Sequence, residues 1–208
     1  MRTRRFPLLL LAAVSAAFLL LGWAPTADRF TWFMENAPVI LGVPVLVATH
    51  RRFPLTNLLY GLIALHALVL MVGGHWTYAE VPAGHWVQAW LHLARNPYDR
   101  LGHLFQGFVP VLIFREVLVR KGILRPGRWS VFVLLLMALG LSAAYELVEW
   151  QTAVWTGSSA DAFLGTQGDP WDTQWDMACA LIGATAALAF LGRRHDRALA
   201  ACHQANPA

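Results

Sequence analysis

Two stretches of the chain repeat one arrangement of polar residues at what reads as the start of a helix. Asn96-Pro97-Tyr98-Asp99 is followed, four residues on, by His103, and Asp169-Pro170-Trp171-Asp172 is followed, four residues on, by Asp176. Local chemistry accounts for the first four positions of each. Asn or Asp caps a helix, Pro suits its first turn, and an acid at the next turn complements the positive end of the helix dipole. Asp99, Asp169 and Asp172 therefore have a structural reason to be where they are. His103 and Asp176 have none. Each falls about 9 Å inside its helix, on the face of the acid that precedes it by four residues.

Further acids join them. Glu146 and Glu149 lie near the end of a later apolar segment, and Glu35 lies near the start of an earlier one. One imidazole among several carboxylates can hold a hard or borderline divalent cation such as Mg, Mn, Ca or Zn, and His103, Glu146 and Asp176 are the expected ligands. The same residue types can also pass protons. Acid–base or ligand roles are expected of Asp99, His103, Glu146, Glu149, Asp172 and Asp176, and substrate contacts of Gln106 and Glu35. Arg100 adjoins Asp99, but neighbours on a helix point about 100° apart. It is therefore not expected to reach the Asp99 and His103 face. No HExxH, P-loop or GxSxG pattern is present, so no named mechanism follows.

The elements that must carry these residues are membrane spans. Apolar residues make up 57% of the chain and charged ones 13%, against about 25% charged in a soluble domain. Crossing hydrocarbon takes about 20 mainly apolar residues, and six segments qualify: 6–24, 31–49, 55–73, 97–119, 129–154 and 170–191. The expected architecture is an all-α polytopic bundle over residues 1–208 as one integral membrane domain. Pro38, Pro44 and Pro110 fall inside spans, where neighbouring helices can satisfy the freed carbonyls. Arg2, Arg4 and Arg5 before an apolar run also describe a signal peptide. With Trp23 and Pro25 where a small-residue cleavage site belongs, the first helix is expected to be retained.

Lys and Arg favour cytoplasmic loops. Thirteen of the sixteen fall on one side if both termini are inside, leaving Arg29, Arg95 and Arg100 outside, and nine of the ten tryptophans collect at the outer ends. An N-in, C-in topology follows. In residues 83–95, His85, Gln88, His92 and Arg95 share one helical face opposite Trp86, Val87, Trp90 and Leu91. That pattern predicts a short helix on the membrane surface with solvated histidines. His50, His75 and His195 are scattered and read as structural, while His66 lies mid-span and stays open. The basic residues form no single groove-facing patch, which excludes nucleic acid as a partner. Cys179 and Cys202 have no CxxC partners, so redox chemistry has little support.

The stretches NPYDRLGHLFQGFVP from Asn96, YELVEW from Tyr145 and FLGTQGDPWDTQWDM from Phe163 resemble the YjdF-like bacterial inner-membrane proteins. That family has no assigned activity, so the resemblance implies a bacterial inner-membrane location rather than a reaction. A looser likeness is to VanZ-like membrane proteins, which pair an Asp-x3-His helix start with a later Glu and then Asp-x3-Asn-x2-Gly. Asp99, His103, Glu146 or Glu149, Asp176 and Gly183 match these positions, and Ala180 departs from the Asn. This likeness implies a cell-envelope role, by analogy of pattern alone.

An isolated charge within the bilayer costs about 2.5–3.5 kcal/mol on insertion scales, so the acids are expected to face the bundle interior or water. Three functions remain open: an enzyme acting on an envelope lipid or lipid-linked substrate, a cation or proton-coupled transporter using the same acids, and a non-catalytic membrane accessory protein. The inner halves of the spans offer little polarity beyond Asn57, Ser130 and the Arg115/Glu116 pair, which leans against transport. The small-residue loop 157–168 is expected to cover the site.

Overall fold

The computed structural model of the protein describes residues 5–157 and 161–205. Arg2 and Arg4, and residues 158–160 of the loop expected to cover the site, lie outside them. Among the described residues the chain is helical, without strands. Six helices are long and apolar enough to cross a membrane. They are α1 (Arg5–Trp23), α2 (Arg29–Thr49), α3 (Asn57–Trp76), α5 (Tyr98–Arg120), α6 (Arg128–Thr156) and the run that begins with α8 (Asp172–Ala186). That last run continues through a π-helical turn (Ala187–Leu191) into α9 (Gly192–Ala205), so the helix that carries the sixth apolar segment runs on past Leu191. Between α3 and α5 come a 3-10 turn (Tyr78–Glu80) and the short α4 (Pro82–Leu91), and α7 (Asp161–Leu164) precedes α8.

Capping side chains fix where the spans begin. Asp28 accepts from the amides of Phe30 and Thr31 at 2.9 and 3.0 Å and from the Thr31 hydroxyl at 2.6 Å. It lies outside the span, and the Thr31 hydroxyl and amide hold its carboxyl below the ordinary value. Thr56 caps α3 by accepting from the Leu59 amide at 3.3 Å.

The centre of the bundle is α5, which packs on α3, α6 and, most extensively, α8. Glycine explains how closely α5 and α8 approach. A Cβ at Gly107 would stand 1.7 Å from the Ala180 carbonyl oxygen, and one at Gly183 would stand 2.0 Å from that of Leu104. Small residues that let backbones touch are the usual adhesive between helices in lipid, where apolar burial supplies little drive. Ala180, fully buried at this crossing, occupies the position where the VanZ-like pattern has Asn. Two apolar clusters flank this core, one around Val39, Leu70 and Met71, the other around Leu59, Leu112 and Leu134.

The surface helix is shorter than the sequence pattern predicts. Its last residue is Leu91, and His92 turns the chain with a left-handed φ of 53°. Trp86 and Trp90 stand exposed on α4, as expected of a helix at a membrane surface. Arg95, however, leaves the polar face assigned to it and points into the bundle.

Candidate functional site

The two repeated motifs meet where α5 and α8 begin. Asn96 caps α5 through its side-chain oxygen, which accepts from the Tyr98 amide at 3.0 Å, while its amide group donates to Ala79 and Val81 carbonyls. Asp169 does the equivalent for α8, accepting from the Trp171 amide at 2.9 Å. Gln167 stitches the two starts together, accepting from the Asn96 amide at 2.9 Å and donating to the Asn96 carbonyl at 3.1 Å.

Two arginines organise the acids. Arg95 donates to Asp99 at 2.9 Å, to Asp172, and to the carbonyls of Gly165 and Thr166. Arg100 reaches across to α8 and the turn before it, meeting Asp169 at 3.0 Å, Asp172 at 3.0 Å and Asp176 at 2.5 Å. Its side chain thus serves the partner helix rather than the Asp99 and His103 face. The described part of the loop before α8 lies on this cluster: Gly165 and Thr166 accept from Arg95, and the Ala162 carbonyl accepts from the Thr77 hydroxyl at 2.9 Å.

Below this layer sits His103, which is 4% exposed. Its Nδ1 lies 3.0 Å from the Gln106 side-chain oxygen and 3.7 Å from Glu146 Oε1. Its Nε2 lies 3.5 Å from Asp99 Oδ1 and 3.9 Å from Asp176 Oδ1. Both ring nitrogens therefore face oxygen acceptors. A neutral imidazole carries one N–H, so the second nitrogen calls for a further proton, a cation or the Gln106 amide turned to donate. Asp99, His103 and Asp176 each offer a ligand atom within 4.8 Å of the others, and all three are buried.

The structure thus brings together Asp99, His103, Gln106, Glu146, Asp172 and Asp176. Glu35 arrives from α2, 1% exposed, and Glu149 is half-buried one turn beyond Glu146. Among the described residues, Glu35 Oε1 and Glu146 Oε1 have no hydrogen-bond donor. Tyr78, in the 3-10 turn outside the spans, has its hydroxyl pushed well above the ordinary value by burial and then by the Glu35 carboxylate. A cavity of about 130 Å³ opens under His103, lined by Gln106, Tyr145, Pro38, Pro110 and the mid-span His66. His66 Nε2 is buried there without a hydrogen-bond partner among the described residues.

Sequence reasoning missed Arg95 and Gln167. The spacing of Arg95 four residues before Asp99 was the available signal for the first. Nothing local announces the second, whose partner lies 71 residues away.

The chain is 58% identical over 172 residues to the inner membrane protein YjdF of Escherichia coli (strain K12), an alignment that covers 83% of this chain and 82% of that protein. No solved structure matches it. Six apolar spans and an inner-membrane relative make this a multi-pass bacterial inner-membrane protein. The family described as Predicted membrane protein (DUF2238) matches residues 6–197, and the chain belongs to that family.

Proposed function

We propose that the chain is a membrane-embedded enzyme that binds a divalent cation between Asp99, His103 and Asp176 and acts on the polar part of an envelope lipid or lipid-linked substrate. The observation that carries this reading is the buried triad itself, whose three ligand atoms lie within 4.8 Å of one another. The charge inventory supports it. Seven carboxylates, from Glu35, Asp99, Glu146, Glu149, Asp169, Asp172 and Asp176, converge on a region where two arginines supply the fixed positive charge. Like charges in a low-dielectric layer demand protons or a further cation. Oxygen and imidazole donors favour Mg, Mn, Ca or Zn over a soft metal.

In this reading Gln106 orients the His103 ring, Arg95 and Arg100 hold the aspartates in place, and Glu146 and Glu149 provide acid–base chemistry. Glu35 contacts the substrate. A reacting group at this depth belongs to a molecule that already resides in the bilayer, which favours a lipid over a soluble substrate.

The carrier reading draws on one observation, the buried His66 Nε2 that extends polarity toward mid-span. Against it, the polar groups at the far end of the bundle are tied into a closed network around Glu116.

Metal analysis of detergent-purified protein tests the cation. The parent should carry near-stoichiometric metal that is lost in both His103→Ala and Asp176→Asn. Metal-free parent protein that remains folded and functional after chelation eliminates the site.

The site faces the outside in the N-in orientation. Supporting this, the three basic residues at its end are all engaged, Arg29 with the Gly22 and Trp23 carbonyls and Arg95 and Arg100 with carboxylates. A topology reporter fused after Lys121 should read cytoplasm, and an outside signal there overturns the orientation.

A further inference from the structure

At the end of the bundle opposite the site, α1 and α2 part. Both lie along α3, and near the site end they are drawn together. Arg29 donates to the Gly22 and Trp23 carbonyls at 3.0 and 3.2 Å, the Phe18 and Trp32 rings lie 5.3 Å apart, and Trp32 covers Gly22 so closely that a Cβ there would clash at 2.6 Å. Among the described residues no hydrogen bond or ring contact ties α1 to α2 at the other end. A cleft of about 250 Å³ results, walled by Leu8 and Leu11 of α1 and Val43 and Val47 of α2 and floored by Ala64 and Ala67 of α3.

The walls are apolar and the mouth is not. His50, Arg51 and Tyr60 line the opening. His50 is occupied, its Nδ1 lying 2.7 Å from the Tyr60 hydroxyl. Arg51 is exposed, as are its neighbour Arg52 and Arg5 at the start of α1. No acid balances them, because residues 1–27 and 36–79 contain neither Asp nor Glu. At this end of the bundle the described acids are engaged elsewhere, Glu116 in its own network and Asp196 with Arg115.

An apolar cavity of about 150 Å³ is enough to admit benzene and stays dry, so a larger one open to the bilayer fills with hydrocarbon rather than water. The Arg51 cation sits two residues beyond the end of α2, where a span ends and phosphate groups begin. Dry walls, a floor of small residues and an unbalanced arginine at headgroup depth match one molecule with two chemistries. We propose that this cleft holds one acyl chain of an anionic glycerophospholipid, with Arg51 meeting its phosphate. This site is separate from the carboxylate cluster and does not depend on the function proposed for it.

Native mass spectrometry of the full chain in a neutral detergent tests the proposal, with phosphatidylglycerol and phosphatidylcholine of matched acyl chains as probes. The parent should retain one phosphatidylglycerol in preference to phosphatidylcholine by roughly fivefold, the effect expected of one arginine near an anionic lipid surface. Arg51→Ala should abolish the preference, whereas Arg125→Ala, on the same end but outside the cleft, should keep it. Val47→Trp should remove the adduct with either lipid. Val47 is 53% exposed, so the larger ring is tolerated by the fold, which circular dichroism and a thermal midpoint verify. Equal retention of the two lipids by the parent overturns the proposal. So does a preference that persists in Arg51→Ala, or an adduct that survives Val47→Trp.

Discussion

The two ends of α5 carry buried acids that are treated in opposite ways. At the end away from the site, Glu116 is fully buried, and both its oxygens are saturated. Oε1 accepts from the Thr56 amide at 2.8 Å and from Arg120 at 2.9 Å, and Oε2 accepts from the Thr56 hydroxyl at 2.8 Å and lies 3.0 Å from His195 Nε2. Arg115 in turn donates to His195 Nδ1 at 3.1 Å, which leaves Nε2 as the proton-bearing nitrogen directed at Glu116. Arg120 also donates to the Pro54 carbonyl at 2.7 Å. This network pins α5 to the start of α3 and to α9. At the site end, by contrast, Glu35 and Glu146 each leave an oxygen without a donor.

Buried polar groups in folded proteins are nearly always hydrogen-bonded, and an unmet one costs about 1–3 kcal/mol. A saturated acid is therefore explained by the fold, and an unsaturated one asks for something the fold does not supply. That contrast separates a cluster whose acid the fold accounts for from one that holds buried carboxylate oxygens the fold leaves unmet.

The contrast breaks if both clusters respond alike to mutation. Glu116→Ala strands the Thr56 amide, the Arg120 guanidinium and the His195 N–H in a buried setting, and losing one member of a buried charged network costs about 3–5 kcal/mol. A large fall in the detergent thermal midpoint, or failure to accumulate in the membrane, is expected. Glu146→Gln should do far less to the same melt, because it removes an acid whose oxygen lacks a donor. It should nevertheless lower any activity assigned to the site while leaving metal retention by Asp99, His103 and Asp176 in place. A Glu116→Ala melt indistinguishable from the parent would show that saturation is no guide to structural weight here.

How far the sequence reached follows the same physics. Span positions were legible because hydrocarbon thickness sets a length and composition reports it, and the acid layer was legible because ionisable residues stand out in apolar helices. His103, Glu146 and Asp176 were expected at one depth from counting residues along three helices, and they are neighbours in space. The end of α4 was not legible. A helical wheel assumes the helix continues, so it kept Arg95 on a solvated face past the point where His92 turns the chain inward. His195 read as one scattered histidine because its partner Glu116 is 79 residues away, beyond any local pattern. The π turn through which the sixth helix continues has no signature in Ala187–Leu191 beyond apolarity.

A third acid sharpens the comparison by separating location from satisfaction. Asp28 lies at the site end, yet it is fully engaged as the cap of α2 through Phe30 and Thr31. If saturation marks structural acids wherever they lie, Asp28 should act on helix stability alone. The Thr31 hydroxyl and amide hold its folded-state carboxyl below the ordinary 3.8. A depressed folded value means the stabilisation is fully present above the unfolded value and is lost as pH falls through the folded one. Hydrogen exchange of the Phe30 and Thr31 amides, corrected for intrinsic rates, should thus show constant protection from neutral pH down to about 4 and a decline below that. Asp28→Asn keeps an oxygen at the cap and should remove the acid limb, while Asp28→Ala should cost about 1 kcal/mol of local stability at every pH. Metal retention should be unchanged in both variants. Loss of metal in Asp28→Asn, or protection that already falls between pH 6 and about 5, would join Asp28 to the site and undo the rule that divides the two clusters.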